Sequence, residues 1–183
     1  MSQISVDSVI PQSGTTITIG GSGDTITLPS GATLAVASGA TISNSGTASG
    51  FGKVLQVVEG AYSTQIGTTS TTYIDTSLTA SITPSSASNK ILVIANVSCH
   101  CVSGGAALYH LYRNDTTQIG DPHFMSSASG AQAVTMSLTY LDSPSTTSST
   151  AYDVYMAAVS GGGTATINFN NRGSRITLLE IAG

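Results

Sequence analysis

Apolar positions change their spacing once along this chain, near residue 52. Before it, Ile17-Thr-Ile19, Ile26-Thr-Leu28, Leu34-Ala-Val36 and Ile42 recur at offsets of nine, eight and eight residues, separated by turn segments such as Gly20-Gly-Ser-Gly-Asp24 and Pro29-Ser-Gly31. Each unit reads as a very short strand with one apolar face, too small to be stable alone. That face needs neighbours, either successive coils of a solenoid or equivalent coils of other chains. So few units would give a solenoid a thin core, so the preferred reading is a short shaft in which three chains wind together. The run Asn44-Ser-Gly-Thr-Ala-Ser-Gly-Phe51-Gly52 has linker composition, which divides the chain into residues 1–51 and 52–183.

From Lys53 onward the pattern is longer alternation broken by turn residues, and no stretch sustains apolar spacing at three and four. Strands are predicted near residues 53–59, 73–78, 81–83, 90–101, 107–113, 134–141, 150–158, 164–169 and 175–181. Eight or nine antiparallel strands suit a β-sandwich of jelly-roll type, so the fold class is all-β. Two strands are apolar on both faces. Ile91, Val93 and Ala95 oppose Leu92 and Ile94, while Ile176 and Leu178 oppose Leu179 and Ile181. Both faces must then be covered, by the second sheet and by a subunit interface, or by a thick monomeric core.

Composition sharpens this reading. Charged residues make up 8% of the chain, against roughly 25% in an average soluble domain. Disorder is excluded by the 40% apolar content and a formal charge of only −4. A surface of Ser, Thr and Gly resists association poorly, which favours stable self-assembly. Five Lys and Arg residues, scattered along the chain, make no phosphate-tracking surface, so nucleic acid is not an expected partner. Met1-Ser-Gln-Ile-Ser-Val-Asp lacks the features of a secretory signal, and Ile91-Leu-Val-Ile-Ala95 is far too short to span a bilayer, so synthesis in a cytoplasm without membrane insertion is expected.

Candidate chemistry is sparse. Cys99 and Cys101 lie two apart on a strand, where they share a face but would make a badly strained mutual disulfide; free core thiols are expected. His100 takes the other face, so the triplet cannot close on one metal ion without a bulge, although one His per chain on a threefold axis, His100 or His123, could form a trigonal site. Tyr109 and Tyr112, three apart, face opposite sides of one strand, and Tyr152 and Tyr155 repeat this. One ring of each pair is expected in the core and the other on an outer face or seam. Asp115 and Asp121 could nominally act as a hydrolase pair, but neither a Gly-x-Ser-x-Gly nor a phosphate-binding Gly-Lys-Ser/Thr element occurs. No catalytic residue, cofactor or metal is assigned, and the chain is not expected to be an enzyme.

The runs Gly52-Lys53-Val-Leu-Gln-Val-Val and Thr68-Thr-Ser-Thr-Thr-Tyr73-Ile-Asp75, continuing to Pro84-Ser-Ser-Ala-Ser-Asn-Lys90-Ile-Leu-Val, resemble the C-terminal domain of bacteriophage tail fibre and related virion proteins, particularly those of marine phages. The ending Arg175-Ile-Thr-Leu-Leu-Glu180-Ile-Ala-Gly183 is similar to the close of that module. The resemblance covers residues 52–183, and Ile4-Ser-Val-Asp-Ser-Val-Ile-Pro11 with the repeats looks like an attachment segment. It implies a homotrimeric fibre of the virion, assembled in the host cytoplasm. The N-terminal residues 1–50 would sit on the tail, baseplate or an adaptor, and the distal head would touch a host glycan or outer-membrane receptor. The alternatives are a decoration or adaptor protein without host contact, a head fibre included, and a polysaccharide depolymerase. Receptor contact is expected on the loops 102–106, 114–130, 142–149 and 160–163, chiefly at Asp115, Asp121, His123 and Phe124, because loops vary freely on a fixed sandwich. A competing role for Phe124 and Met125 is to plug the subunit interface.

Overall fold

The computed structural model describes residues 14, 16–19, 21–41, 43, 54–102, 104–159 and 163–183. The proposed attachment start, Ile42, the linker and residues 160–162 of the last predicted loop lie outside them. The chain divides into two compact units, residues 1–49 and 50–183.

In the first unit the repeat takes a definite backbone form. Backbone N–H groups of Asp24, Ala32 and Ala40 donate to the carbonyls of Gly21, Pro29 and Ala37 at 3.2, 3.0 and 3.0 Å. The third residue of each turn is a glycine with positive φ, Gly23 at 89°, Gly31 at 85° and Gly39 at 83°. A left-handed third position is the requirement of a type II turn, which explains why glycine recurs at this point of the repeat. Between the turns the apolar side chains Ile17, Ile19, Ile26, Leu28, Leu34 and Val36 stay 42–68% exposed.

The second unit is an antiparallel sandwich. Its strands are β1 (Val54–Tyr62), β2 (Ile66–Thr68), β3 (Ile74–Ile82), β4 (Lys90–Cys101), β5 (Ala106–Arg113), β6 (Thr117–Ser126), β7 (Gln132–Asp142), β8 (Thr150–Ala158), β9 (Ala165–Ile167) and β10 (Ser174–Ile181). One sheet runs β1-β10-β4, with β7 on the far edge of β4 and the short β9 and β2 prolonging the β10 and β1 positions. The other runs β3-β8-β5-β6. Counting the eight long strands in chain order, the sheets read 1-8-3-6 and 2-7-4-5, the two interleaved Greek keys of a jelly roll.

Alternation puts Ile91, Val93, Ala95, Val97, Cys99 and Cys101 of β4 inside, where they meet Leu78, Tyr109, Tyr152, Met156, Ile176 and Leu178. At Gly60 the sheets approach too closely for a side chain, because a Cβ there would lie 1.9 Å from the Thr79 carbonyl oxygen of β3. Asp142, ending β7, reaches across to the other sheet. It accepts from Arg113 Nη1 on both carboxylate oxygens, at 3.0 and 2.8 Å, and from the Tyr152 hydroxyl at 2.7 Å. Asp142 is buried and Arg113 partly so. Asp142→Ala should therefore destabilise the sandwich by about 2 kcal/mol or more, since it strands a guanidinium and a core phenol together; a urea midpoint unchanged from wild type would refute this.

Three differences from the sequence reading have local causes. Residues 114–130, expected as a loop, contain β6. Arg113-Asn114-Asp115-Thr116 closes by a Thr116 N–H to Arg113 C=O bond with Asn114 and Asp115 at φ 50° and 59°. Two consecutive left-handed residues make a type I′ hairpin turn, and Pro122 is tolerated beyond it because β6 is an edge strand. Residues 73–78 and 81–83 are one strand, β3, interrupted by a bulge between Asp75 and Thr79. There Ser77 takes φ 61° while the Thr76 hydroxyl donates to the Val154 carbonyl at 2.6 Å. The third is β2, too short at Ile66–Thr68 to show an alternation.

Candidate functional site

The four sequence-derived contact residues do not converge. Asp121 and His123 border a small surface cleft between β6 and β7 with Gly120 and Tyr140. Phe124 lies opposite Leu108 and is 59% exposed, whereas the neighbouring Met125 is buried opposite Ala107. Asp115 sits at the tip of the β5–β6 hairpin and accepts from the Tyr155 hydroxyl at 3.0 Å.

That bond leads to a side-chain cluster on the outer face of the β3-β8-β5-β6 sheet. Tyr109 and Tyr152 point inward and are fully buried, so their strand partners three residues on, Tyr112 and Tyr155, point outward. The outer two stack on each other with ring centroids 4.1 Å apart and planes 26° from parallel. Tyr73 leans on Tyr112 at 6.0 Å and on His110 at 5.6 Å. His110 also meets Tyr112 edge-on at 5.7 Å, and Gln118 Nε2 donates to the Tyr112 hydroxyl at 2.6 Å. Such tilted and offset contacts suit ring quadrupoles.

Three carboxylates border these rings. Asp75 stands directly opposite Tyr155, where the β3 bulge begins. Asp153 lies opposite Tyr112 on one side and Thr79 on the other. It is only 5% exposed, and its Oδ2 has no hydrogen-bond partner. Burial, then the charges of Asp115 and Asp75, raise its pKa against the lowering effects of the Thr79 hydroxyl and the Asp115 N–H. Tyr155 is pushed up to about 12 by desolvation, by its bond to Asp115 and by the three acids, so it remains a donor. Neither ion pair among the described residues, Arg113–Asp142 or Arg175–Glu59, involves these acids. Among the described residues no group of three or more His, Cys, Asp or Glu side chains is placed to hold a metal ion.

The remaining candidates sit elsewhere. Cys99 and Cys101 are free and buried on the core face of β4. Burial pushes the Cys99 thiol up to about 12, so it supplies almost no thiolate for chemistry. His100 faces the other way, as alternation requires, and is buried under Phe169, stacked at 3.8 Å and 7°.

A third surface has an unusual character. On the outer face of the β1-β10-β4-β7 sheet, Val57 pairs with Leu179, Leu179 with Leu92, and Leu92 with Leu141, forming one apolar row across four strands. Directly opposed residues point to the same side, so the row is continuous. Ile94 and Ile181 flank it. Val57 is 59% and Leu141 48% exposed, and among the described residues of the sandwich nothing covers them. Sequence alone marked Leu92, Ile94, Leu179 and Ile181; Val57 and Leu141 join through register.

No family model matches the chain, and no curated protein matches it. Among the described residues no helix is long and apolar enough to cross a membrane.

Proposed function

We propose that this chain is a structural fibre protein of a bacteriophage particle. It works as a homotrimer whose N-terminal 50 residues attach to the tail, baseplate or an adaptor and whose jelly-roll head touches the host surface. The observation that carries this reading is the exposed apolar repeat of eight to nine residues, with six large side chains exposed between turns of one geometry. Burying them would contribute on the order of 10 kcal/mol per chain, which a single chain forgoes and winding chains gain. The row Val57–Leu179–Leu92–Leu141 supplies a second surface of the same kind in the head. Scarce charge agrees, since an assembled fibre needs less electrostatic protection than a free monomer. The reading makes the protein a binder and scaffold without a catalytic role.

Light scattering on the full chain should give about three times the 18.4 kDa chain mass. A monodisperse single-chain species would overturn the proposal. A truncated chain of residues 52–183 should fold, because the sandwich owns a complete core, and should no longer enter particles. If it entered particles normally, residues 1–50 would not be the attachment segment.

A further inference from the structure

The outer-face cluster of the β3-β8-β5-β6 sheet combines accessible rings and carboxylates with buried polar atoms that lack a hydrogen-bond partner. Tyr73 and Tyr155 are partly accessible, and Asp75 and Asp115 are exposed beside them. Beneath lie Asp153 Oδ2 and His110 Nδ1, on side chains 5% and 4% exposed, and neither atom has a partner. Leaving a buried polar atom unmatched costs about 1–3 kcal/mol, so the arrangement gains when an incoming group supplies the bond. The β3 bulge sets Asp75 at the rim, and its carboxylate is held by the Ser77 N–H at 2.8 Å.

We propose that this ring-and-carboxylate platform is a glycan-binding site, taking a sugar that presents hydroxyl or amine donors and rejecting acidic sugars. The inference rests on the host-contact reading above and gives it a ligand class and a location. A pyranose has a C–H-rich face that packs on an aromatic ring and an equatorial rim of hydroxyl donors. Ionised carboxylates only accept, so Asp75 and Asp115 require donors from the ligand, and the unmatched Oδ2 of Asp153 accepts one as well. The like charges of Asp75 and Asp115, with no ion-paired cation beside them among the described residues, repel a uronate, a sialic acid or a phosphorylated sugar. The cluster is prearranged: Tyr112 is fixed by Gln118 and by its stack on Tyr155, so little side-chain freedom is lost on binding. Of the four contact residues read from sequence, Asp115 belongs to this platform, and Asp121 and His123 do not. Weak binding at each site would be multiplied by three linked copies.

The test applies the full-length protein to an array of neutral, amine-bearing and acidic glycans, alongside Asp115→Asn and Tyr155→Ala. Asn keeps the left-handed backbone of position 115 without strain and still offers an oxygen to the Tyr155 hydroxyl, so Asp115→Asn removes the charge and one acceptor while leaving the hairpin intact. Circular dichroism and scattering mass confirm that each variant remains folded and assembled, and Tyr155→Phe replaces Tyr155→Ala if the latter does not. Wild type should bind neutral or amine-bearing glycans, Asp115→Asn should weaken that binding about tenfold or more, and Tyr155→Ala should abolish it. Binding to acidic glycans alone, to none, or with affinity untouched by both substitutions would overturn the site. A parallel measurement asks whether the same proteins block adsorption of particles to host cells. Blocking by wild type and variants alike removes the platform while keeping the host-contact reading, and absence of blocking by wild type removes both.

Discussion

Glu180→Gln should destabilise the head by roughly 3 kcal/mol, although it changes one atom and no volume. Glu180 is fully buried, directly opposite Gln56 in the β1–β10 ladder. Its carboxylate accepts from Gln56 Nε2 at 2.6 Å, from the Ser85 N–H and hydroxyl at 2.7 Å each, and from Asn89 Nδ2 at 2.6 Å. Asn89 in turn accepts from the Gly183 N–H at 3.1 Å, so this carboxylate pins β1, the β3–β4 connection and the chain end together. An amide presents its own NH2 to these donors, and each buried donor left unmet costs about 1–3 kcal/mol. The same network governs acid stability. Burial alone would raise the Glu180 pKa, but the hydrogen bonds from Asn89, Gln56 and Ser85 outweigh it and hold the value at about 2, below its ordinary 4.5. A carboxyl with a depressed folded-state pKa contributes stability that is present above its unfolded value and lost as pH falls toward the folded one. The urea midpoint of the wild type should drop between about pH 4.5 and pH 2, and Glu180→Gln should show little of that slope. A variant as stable as wild type at pH 7, or with the same acid slope, would show that the network carries no such weight.

The second large effect concerns assembly. Leu92→Lys with Leu179→Lys should drive the scattering mass from three chains toward the 18.4 kDa of one. The two side chains are neighbours in the middle of the outer apolar row, directly opposite one another. In a trimeric seam, every chain would then bring two ammonium groups into contact with apolar surface, and an unpaired buried charge costs several kcal/mol. The fold of each head should survive, because Ile91, Val93, Ile176 and Leu178, the inward residues of the same strands, form the core without them. The control is Ser137→Lys, on the polar part of the same face opposite Asn96, which should leave the mass unchanged. A three-chain mass in the double variant would place the seam off this face.

Alternation along the chain was sufficient for much of this architecture. A strand's side chains alternate by covalent geometry, so β4, β8 and β10 are legible within a residue or so, as are the inward Cys99 and Cys101 and the division of Tyr109 from Tyr112 and Tyr152 from Tyr155. Equally local is the glycine of each type II turn in the repeat. Less legible was β6, whose Gly120 and Asp121-Pro122 read as loop residues. The usable signal was Asn114-Asp115, a pair able to hold two positive φ angles. Sequence also could not place the candidate site. Tyr73, Asp75, Tyr112, Asp115, Asp153 and Tyr155 come from three separated segments, and only the pairing of β3 with β8 and of β8 with β5 brings them side by side. The row Val57–Leu179–Leu92–Leu141 depends in the same way on the registers of three ladders. Face and strand are properties of the local backbone, whereas neighbours and register are settled by which long-range pairing buries the whole core at once, and that decision belongs to the tertiary structure.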